Sequence, residues 1–452
     1  MNADIINKAP APLAPTTIEE TGLPADQLEQ LLLKTLYGAE ATGVALADRI
    51  RLPFAMLEPL IEHARAEHLI EVRGASAGNA ASYRYTLTDL GRERAKQFLD
   101  INQYVGPAPV PLAAYVAQMR GLVSARGHID QSRLRKGFSH LVVPDHVFDQ
   151  VGPAVNGNTA VFLYGPPGNG KTVIGEGMGR SLGGDMYMPH AVEVDSHIIT
   201  MFDPINHESL EAEGDDDQLS VVKTSPRDRR WVRIRRPVVI VGGELTLEQL
   251  DLTFNPIAKF YEAPIQLKAN GGVFLVDDFG RQRIRAQDLL NRWIVPLESR
   301  VDYLTLHTGK KFQVPFDVLI VFATNLNPKS LADEAFLRRI PYKIHIGDPS
   351  LEAFSRIFEM NCRRRNLRYD QVMVAYLQRN HYEPTGRPFR ACHPRDLLDQ
   401  VVALCRYRGI EPTITRELLD TVCASYFIEE EPDSRPVPQV AQNSAGRRME
   451  IQ

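Results

Sequence analysis

The sequence has few cysteines and no long apolar run, and each absence excludes a class of protein. Its 452 residues include four cysteines, none of them in a C-x-x-C pair, so we expect neither a disulfide scaffold nor a structural zinc site. No apolar stretch approaches the roughly 20 residues that a membrane-spanning helix requires. The segment MNADIINKAPAPLAPTTIEE has Lys8 as its one cation and no apolar centre, unlike a secretory signal. We therefore expect a cytoplasmic protein with no membrane partner.

The sequence also lacks a strong excess of charge of either sign. It contains 52 Lys and Arg against 56 Asp and Glu, which gives a net charge of -4. The chain as a whole therefore does not indicate a polyanionic partner. Hydrophobic residues make up 44% and charged residues 24%, a balance typical of globular domains. The length predicts about three such domains.

Composition and apolar periodicity divide the chain into six segments. The predicted segments are a flexible Pro/Ala-rich arm (1–22), a winged-helix-like domain (23–104), a linker (105–137), an α/β domain (138–347), a helical domain (348–428) and a disordered tail (429–452). The second segment resembles a winged helix because helices, a β-hairpin and a further helix opened by Thr88 follow one another. In the fourth, short β-rich runs alternate with helical ones, which predicts a parallel sheet covered by helices.

A glycine-rich turn stands between a predicted strand, VFLY, and a predicted helix, TVIGEGMGRSL. Its sequence, GPPGNGKT, has the Walker A spacing, in which glycines let backbone N–H groups turn toward phosphate oxygens. The lysine would reach the β- and γ-phosphates, and the threonine hydroxyl would bind Mg²⁺. The residues assigned to nucleotide binding are Gly165, Pro166, Pro167, Gly168, Asn169, Gly170, Lys171 and Thr172. The sequence therefore predicts a bound triphosphate.

Two further apolar strands end on polar residues. The run GGVFLVDDFG ends on Asp277 and Asp278, which is a Walker B pattern. Asp277 is predicted to hold Mg²⁺ together with Thr172. The run VLIVFATN ends on Asn325, at the sheet edge where ligands bind in open α/β folds. These side chains are expected to meet beside the glycine-rich turn.

Taken in order, these motifs resemble those of AAA+ ATPases over residues 138–428. The resemblance implies ATP and Mg²⁺ as cofactors, a helical lid and a ring of subunits, usually a hexamer. Asp278 stands where most relatives have Glu to polarise the attacking water, so the turnover rate is in question. Asn325 resembles sensor 1, and Arg395, on the opening turn of a helix, resembles sensor 2. In LADEAFLRRIPYKIHI the resemblance implies an arginine finger, Arg339, with Arg338 as the alternative.

The segment VDYLTLHTGKKFQVPFD, before the sensor 1 strand, predicts a hairpin turning at Thr308-Gly309. The order of Walker B strand, helical stretch, hairpin and sensor 1 strand is similar to that in the pre-sensor-1 β-hairpin group and in MoxR-like ATPases. The GAFTGA loop of the related enhancer-binding activators is absent. The stretch 203–236, acidic and then basic, is predicted to be an insertion, and the choice between a solvated loop and a partner contact stays open.

Two functions are consistent with these motifs. The first is a chaperone-like ATPase that hydrolyses ATP to remodel a protein client, which would be recruited through 23–104. The alternative is a DNA-binding transcriptional regulator that uses ATP as a switch and hydrolyses it slowly or not at all. Residues 23–104 carry nine Lys and Arg against eleven Asp and Glu. Because nucleic-acid modules usually have a basic face, this balance disfavours DNA.

Overall fold

The structure is a computed structural model that describes residues 10–73, 80–211 and 227–427. These residues divide into two compact units, one that ends at Pro349 and one that begins at Ser350. No described helix combines the length and the apolar character that crossing a membrane would require. The disordered tail predicted for 429–452 lies outside the described residues.

The first unit begins with a small module of helices and short strands. Its elements are α1 (Ala25–Gly38), β1 (Ala41–Thr42), α2 (Gly43–Ile50), α3 (Phe54–Ala66), β2 (Ile70–Val72), β3 (Arg84–Leu87) and α4 (Asp89–Ile101). The strands form an antiparallel sheet in the order β1-β3-β2. Thr42 and Thr88 accept hydrogen bonds from backbone N–H groups in the first turns of α2 and α4 and so cap them. The order of helices, hairpin and helix is the predicted one, and its assignment as a winged helix stays a prediction.

A five-stranded parallel sheet forms the centre of the first unit. Its strands are β5 (Val161–Tyr164), β10 (Val238–Val241), β13 (Val273–Val276), β16 (Leu319–Thr324) and β17 (Tyr342–His345), in the spatial order β10-β13-β16-β5-β17. Alternate residues of β16 belong to two different apolar cores, so both faces of the sheet are covered. This burial explains the continuous apolar runs in the sequence. The predicted α/β class with a parallel sheet is confirmed, and its assignment to the AAA+ family stays a prediction.

The first unit also contains further helices and an antiparallel hairpin. They are α5 (Leu112–Ser124), α6 (Gln131–Gly137), α7 (Asp145–Gly157), α8 (Lys171–Leu182), α9 (Ile265–Lys268), α10 (Ala286–Arg292), α11 (Ile294–Ser299), β14 (Val301–Thr305), β15 (Lys311–Pro315), α12 (Pro328–Leu331) and α13 (Glu334–Leu337). Strands β14 and β15 pair in antiparallel register. Gly309 has φ 86° at their turn, so the predicted hairpin is present where it was expected.

A second sheet, which the sequence did not reveal, joins distant parts of the chain. Its strands are β4 (Val110–Pro111), β7 (Ala191–Val194), β8 (His197–Thr200), β11 (Thr253–Asn255) and β12 (Phe260–Glu262), in the order β11-β12-β8-β7-β4. A separate antiparallel pair joins β6 (Asp185–Pro189) with β9 (Trp231–Arg235), and β9 lies within the predicted insertion. Residues 212–226 of that insertion lie outside the described residues.

Two segments of the first unit differ from prediction. The described part of the arm is held by its backbone: the carbonyl of Pro12 accepts from the N–H of Asp228. The predicted linker contains β4, α5 and α6, and its residues Tyr115, Met119 and Leu122 are buried. These three residues are spaced at i, i+4 and i+7, the helical pattern that the proline-rich start of the segment obscured.

The second unit is helical throughout its described length. Its helices are α14 (Leu351–Arg364), α15 (Gln371–Leu377), α16 (His393–Arg408) and α17 (Arg416–Tyr426), and a π-helical turn (Gln378–Tyr382) follows α15. Phe354, Phe358, Leu397 and Val401 belong to one apolar core that these helices share. Pro394 stands in the first turn of α16, where its missing N–H costs nothing.

Candidate nucleotide site

The glycine-rich turn leaves β5 and leads directly into α8. Gly165, Gly168 and Gly170 have φ values of 144°, 81° and 78°, which L side chains rarely adopt. A Cβ on Gly165 would lie 2.3 Å from the carbonyl oxygen of Ile346, whereas one on Gly170 would meet no atom within 4 Å. The first glycine is therefore required by close packing. The last faces open space at the N-terminus of a 12-residue helix, where an anion is favoured.

Lys171, the first residue of α8, is only 7% exposed. Its Nζ donates to the carbonyl oxygens of Gly165 at 3.0 Å and Pro166 at 2.9 Å. It also donates to Oδ1 of Asn325 at 2.6 Å. These acceptors hold the ammonium group inside the turn, between β5 and β16.

The two aspartates after β13 differ in their contacts, their backbone conformation and their exposure. Oγ1 of Thr172 donates to Oδ2 of Asp277 at 2.8 Å, so the two residues predicted to bind Mg²⁺ are in contact. Asp278 follows with φ 47°, in the left-handed region that Asp and Asn tolerate better than most residues. The Asp278 side chain is exposed, whereas Asp277 is partly buried.

Asn325 connects the lysine to the second carboxylate. While its Oδ1 accepts from Lys171, its Nδ2 donates to Oδ1 of Asp278 at 3.2 Å. The structure therefore brings Lys171, Thr172, Asp277, Asp278 and Asn325 together at the carboxyl edge of the central sheet. This is the edge at which the strand ends predicted a site.

The predicted arginines have other hydrogen-bond partners. Arg339, after α13, donates from Nε to Oε1 of Glu298 at 2.6 Å and from a terminal nitrogen to the carbonyl of Ala335 at 3.1 Å. Arg338 is exposed and forms no ion pair with any residue of 10–73, 80–211 or 227–427. Arg395 belongs to the second unit, where its Nε donates to Oδ1 of Asp396 at 2.7 Å and this bond raises its pKa. The roles predicted for these arginines stay predictions.

Two residues that the sequence did not single out, Asp348 and Gln282, support the site. Nδ2 of Asn169 in the glycine-rich turn donates to Oδ1 of Asp348 at 2.7 Å. Gln282 donates to the carbonyl of Asp277 at 2.8 Å and accepts from the N–H of Gly280 at 2.8 Å, so it closes the loop after β13. Asp348 follows the end of β17, as Asn325 follows the end of β16, so its position after a strand was a signal that could have found it. Gln282 carried no comparable signal.

The fit of ATP and Mg²⁺ can be judged from these contacts. The turn offers backbone N–H groups at a helix N-terminus, a lysine ammonium group and open space in front of Gly170. Thr172 and Asp277 present a hydroxyl and a carboxylate oxygen, which are the hard ligands that Mg²⁺ prefers. The residues present therefore fit both groups.

Comparison with known proteins covers part of the chain. A family model described as a domain of unknown function (DUF8689) matches residues 350–425, in the helical unit and in less than half of the chain. No curated protein matches the sequence. Among solved structures, NtrX from Brucella abortus in complex with ADP is 14% identical, with a TM-score of 0.38 over 76% of this chain and 68% of its own.

A second solved structure is RuvB from Thermotoga maritima, described as a Holliday junction branch migration motor. It is 11% identical, with a TM-score of 0.34 over 66% of this chain and 71% of its own. Similarities at this level carry no argument about activity. The function of this chain therefore rests on the geometry of its own site.

Proposed function

We propose that the protein is an AAA+ ATPase that binds ATP with Mg²⁺ and hydrolyses it to ADP and phosphate. One observation carries the proposal: Lys171, Asn325 and Asp278 form a continuous hydrogen-bonded chain beside the Thr172–Asp277 pair. A site that only binds nucleotide needs the lysine and the threonine. The additional carboxylate, held by an amide, is the group that hydrolysis requires.

Each residue then has a separate task. Lys171 binds the β- and γ-phosphates, and Thr172 and Asp277 hold Mg²⁺, which when bound supplies charge that neutralises the phosphate oxygens. Asp278 accepts a hydrogen bond from the attacking water and takes up its proton as the bond to phosphorus forms. Asn325 keeps the Asp278 carboxylate in position through its 3.2 Å hydrogen bond.

The site is completed by a neighbouring subunit in a ring, for which a hexamer is the form usual among the proteins it resembles. Arg339 is the proposed finger, because a guanidinium group can donate two hydrogen bonds to the developing charge on phosphate. Its ion pair with Glu298 keeps the guanidinium ordered within its own subunit until a neighbour binds. Arg338 is the alternative, and Arg395 of the helical unit is the proposed sensor 2 residue.

Hydrolysis would remodel a protein client or a complex in a chaperone-like manner, in the cytoplasm. The module 23–104 is the proposed recruitment site for a client or an adaptor. Its helix α3 exposes Glu58 and Glu62 to solvent, and the exposed Glu67 follows the helix; these carboxylates would repel DNA phosphates. The order of helices, hairpin and helix keeps one alternative, a DNA-binding regulator switched by ATP. Salt-dependent binding of the full chain to duplex DNA, with little phosphate release, would favour that alternative.

Steady-state release of phosphate from ATP tests the proposed activity. The wild-type protein should release phosphate in the presence of Mg²⁺, and Lys171→Ala should reduce release to background. Lys96→Ala is the matched control, because Lys96 is an exposed lysine of α4 and should be dispensable. Wild-type release no faster than that of Lys171→Ala would contradict the proposal.

A further inference from the structure

A second cavity lies in the N-terminal module and is formed by other helices than those of the nucleotide site. Its volume is about 590 Å³, within the range of about 300–1,000 Å³ that small-molecule sites occupy. Residues from the last turns of α1, α2 and α4 line it, together with Val105 and Gly106. Among the described residues, none that lines it is an Asp or a Glu.

Lys34 is the unusual member of this lining because it is a lysine only 4% exposed. Its Nζ donates to Oδ1 of Asn102 at 2.6 Å and to the carbonyl oxygen of Asn102 at 3.4 Å. Both acceptors are neutral, and a lysine ammonium group has a third donor. Burial lowers the Lys34 pKa to about 8, with no carboxylate to oppose this effect. A buried ammonium group without a counter-ion is costly, and an anion would relieve that cost.

The other lining residues indicate what such an anion would look like. Arg49 is exposed at the same cavity and forms no ion pair in the described ranges 10–73, 80–211 and 227–427. Tyr37, Leu99 and Val105 supply apolar surface to the same lining. A buried cation, an exposed cation and apolar side chains in one lining match a small molecule with one acidic end and an apolar body.

We propose that this cavity binds a small organic carboxylate, with Lys34 as the partner of the carboxylate and Tyr37, Leu99 and Val105 in contact with its apolar body. The carboxylate accepts the third hydrogen bond of the Lys34 ammonium group. Arg49 attracts the anion to the cavity. The carbonyl groups at the ends of α1 and α4 carry partial negative charge, and this charge stabilises Lys34 only in part. The site is independent of the proposed ATPase activity.

Ligand-observed saturation-transfer NMR on the full-length protein tests this site, with benzoate as the probe. Benzamide is the matched neutral probe, and inorganic phosphate is the anion without an apolar body. Benzoate should show saturation transfer and bind at least tenfold more tightly than either, since only benzoate has both a charged acceptor for Lys34 and an apolar body. Equal binding of benzamide would overturn the role of Lys34, and equal binding of phosphate would overturn the apolar contact.

Two variants locate the binding. Lys34→Met should abolish benzoate transfer, and a melting curve shows whether that variant is folded. Arg49→Gln changes an exposed side chain, so it should fold normally and weaken benzoate binding several-fold. Wild-type protein that shows no benzoate transfer at millimolar probe would refute the proposal, as would benzoate binding unchanged in both variants.

Discussion

Asp278→Asn separates binding of ATP from its hydrolysis with little disturbance of the backbone. Asp278 has φ 47°, and Asn tolerates this left-handed conformation as well as Asp does. The amide oxygen of the new Asn can still accept the hydrogen bond that Asn325 donates at 3.2 Å. The substitution therefore removes a negative charge and a proton acceptor while the contact that positions the side chain is kept.

The expected loss follows from the role of the carboxylate. A positioned general base contributes about 10²- to 10⁴-fold in rate, so the substitution should raise the barrier by about 3–5 kcal/mol. Lys171 and Thr172 are unchanged, so the dissociation constant for ATP should stay within about threefold of the wild-type value. Phosphate release and binding of a fluorescent ATP analogue measure the two quantities.

Asp130→Asn is the matched control for this experiment. Asp130 accepts from the N–H of Arg133 and caps α6, a role that Asn fills equally well. Its phosphate release should equal that of the wild type. Hydrolysis by Asp278→Asn within about threefold of the wild type would refute the role given to Asp278.

Three further predictions concern the metal, a buried ion pair and pH. Chelation of Mg²⁺, or Thr172→Ala, should abolish phosphate release, and release that persists in EDTA would exclude the proposed metal site. Arg230→Met should destabilise the protein by about 3–5 kcal/mol in denaturant unfolding, because Asp228, only 3% exposed, would be left as a buried charge. A loss of unfolding free energy below about 1 kcal/mol would contradict this prediction. Burial lowers the pKa of His190 from 6.5 to about 4. Above pH 6.5 the side chain is neutral in both the folded and the unfolded state, and the free energy of unfolding falls as pH drops from 6.5 toward 4. At pH 5 the loss of unfolding free energy is at most about 2 kcal/mol. His190→Gln should flatten the dependence of unfolding free energy on pH between pH 4 and pH 6.5, and an unchanged slope would contradict this prediction.

The central sheet and the position of its site could be predicted because each depends on local sequence. Buried parallel strands are continuous apolar runs, and the carboxyl ends of such strands meet at one edge. Asp277 and Asn325 were therefore expected near Lys171 before any contact was known. The hairpin turn at Gly309 is likewise a local signal.

Features that depend on distant partners could not be predicted. Strand β4 has two residues, Val110 and Pro111, and pairs with β7 about eighty positions later in the chain. Arg230 donates to the carbonyl oxygens of Thr21 and Pro109, which ties down the predicted flexible arm and the predicted linker. The burial of Lys34 depends on the meeting of α1 with Asn102. None of these pairings leaves a periodic or compositional trace.

The claim that the site is shared between subunits has a direct test, which is the phosphate release of mixed variants. Lys171→Ala retains Arg339, and Arg339→Ala retains the glycine-rich turn and both carboxylates, so each variant alone should be inactive. When the two are mixed, some interfaces combine an intact turn with an intact Arg339, and phosphate release should reappear at a fraction of the wild-type rate. A mixture as inactive as its components, with ring assembly verified by light scattering, would contradict the account.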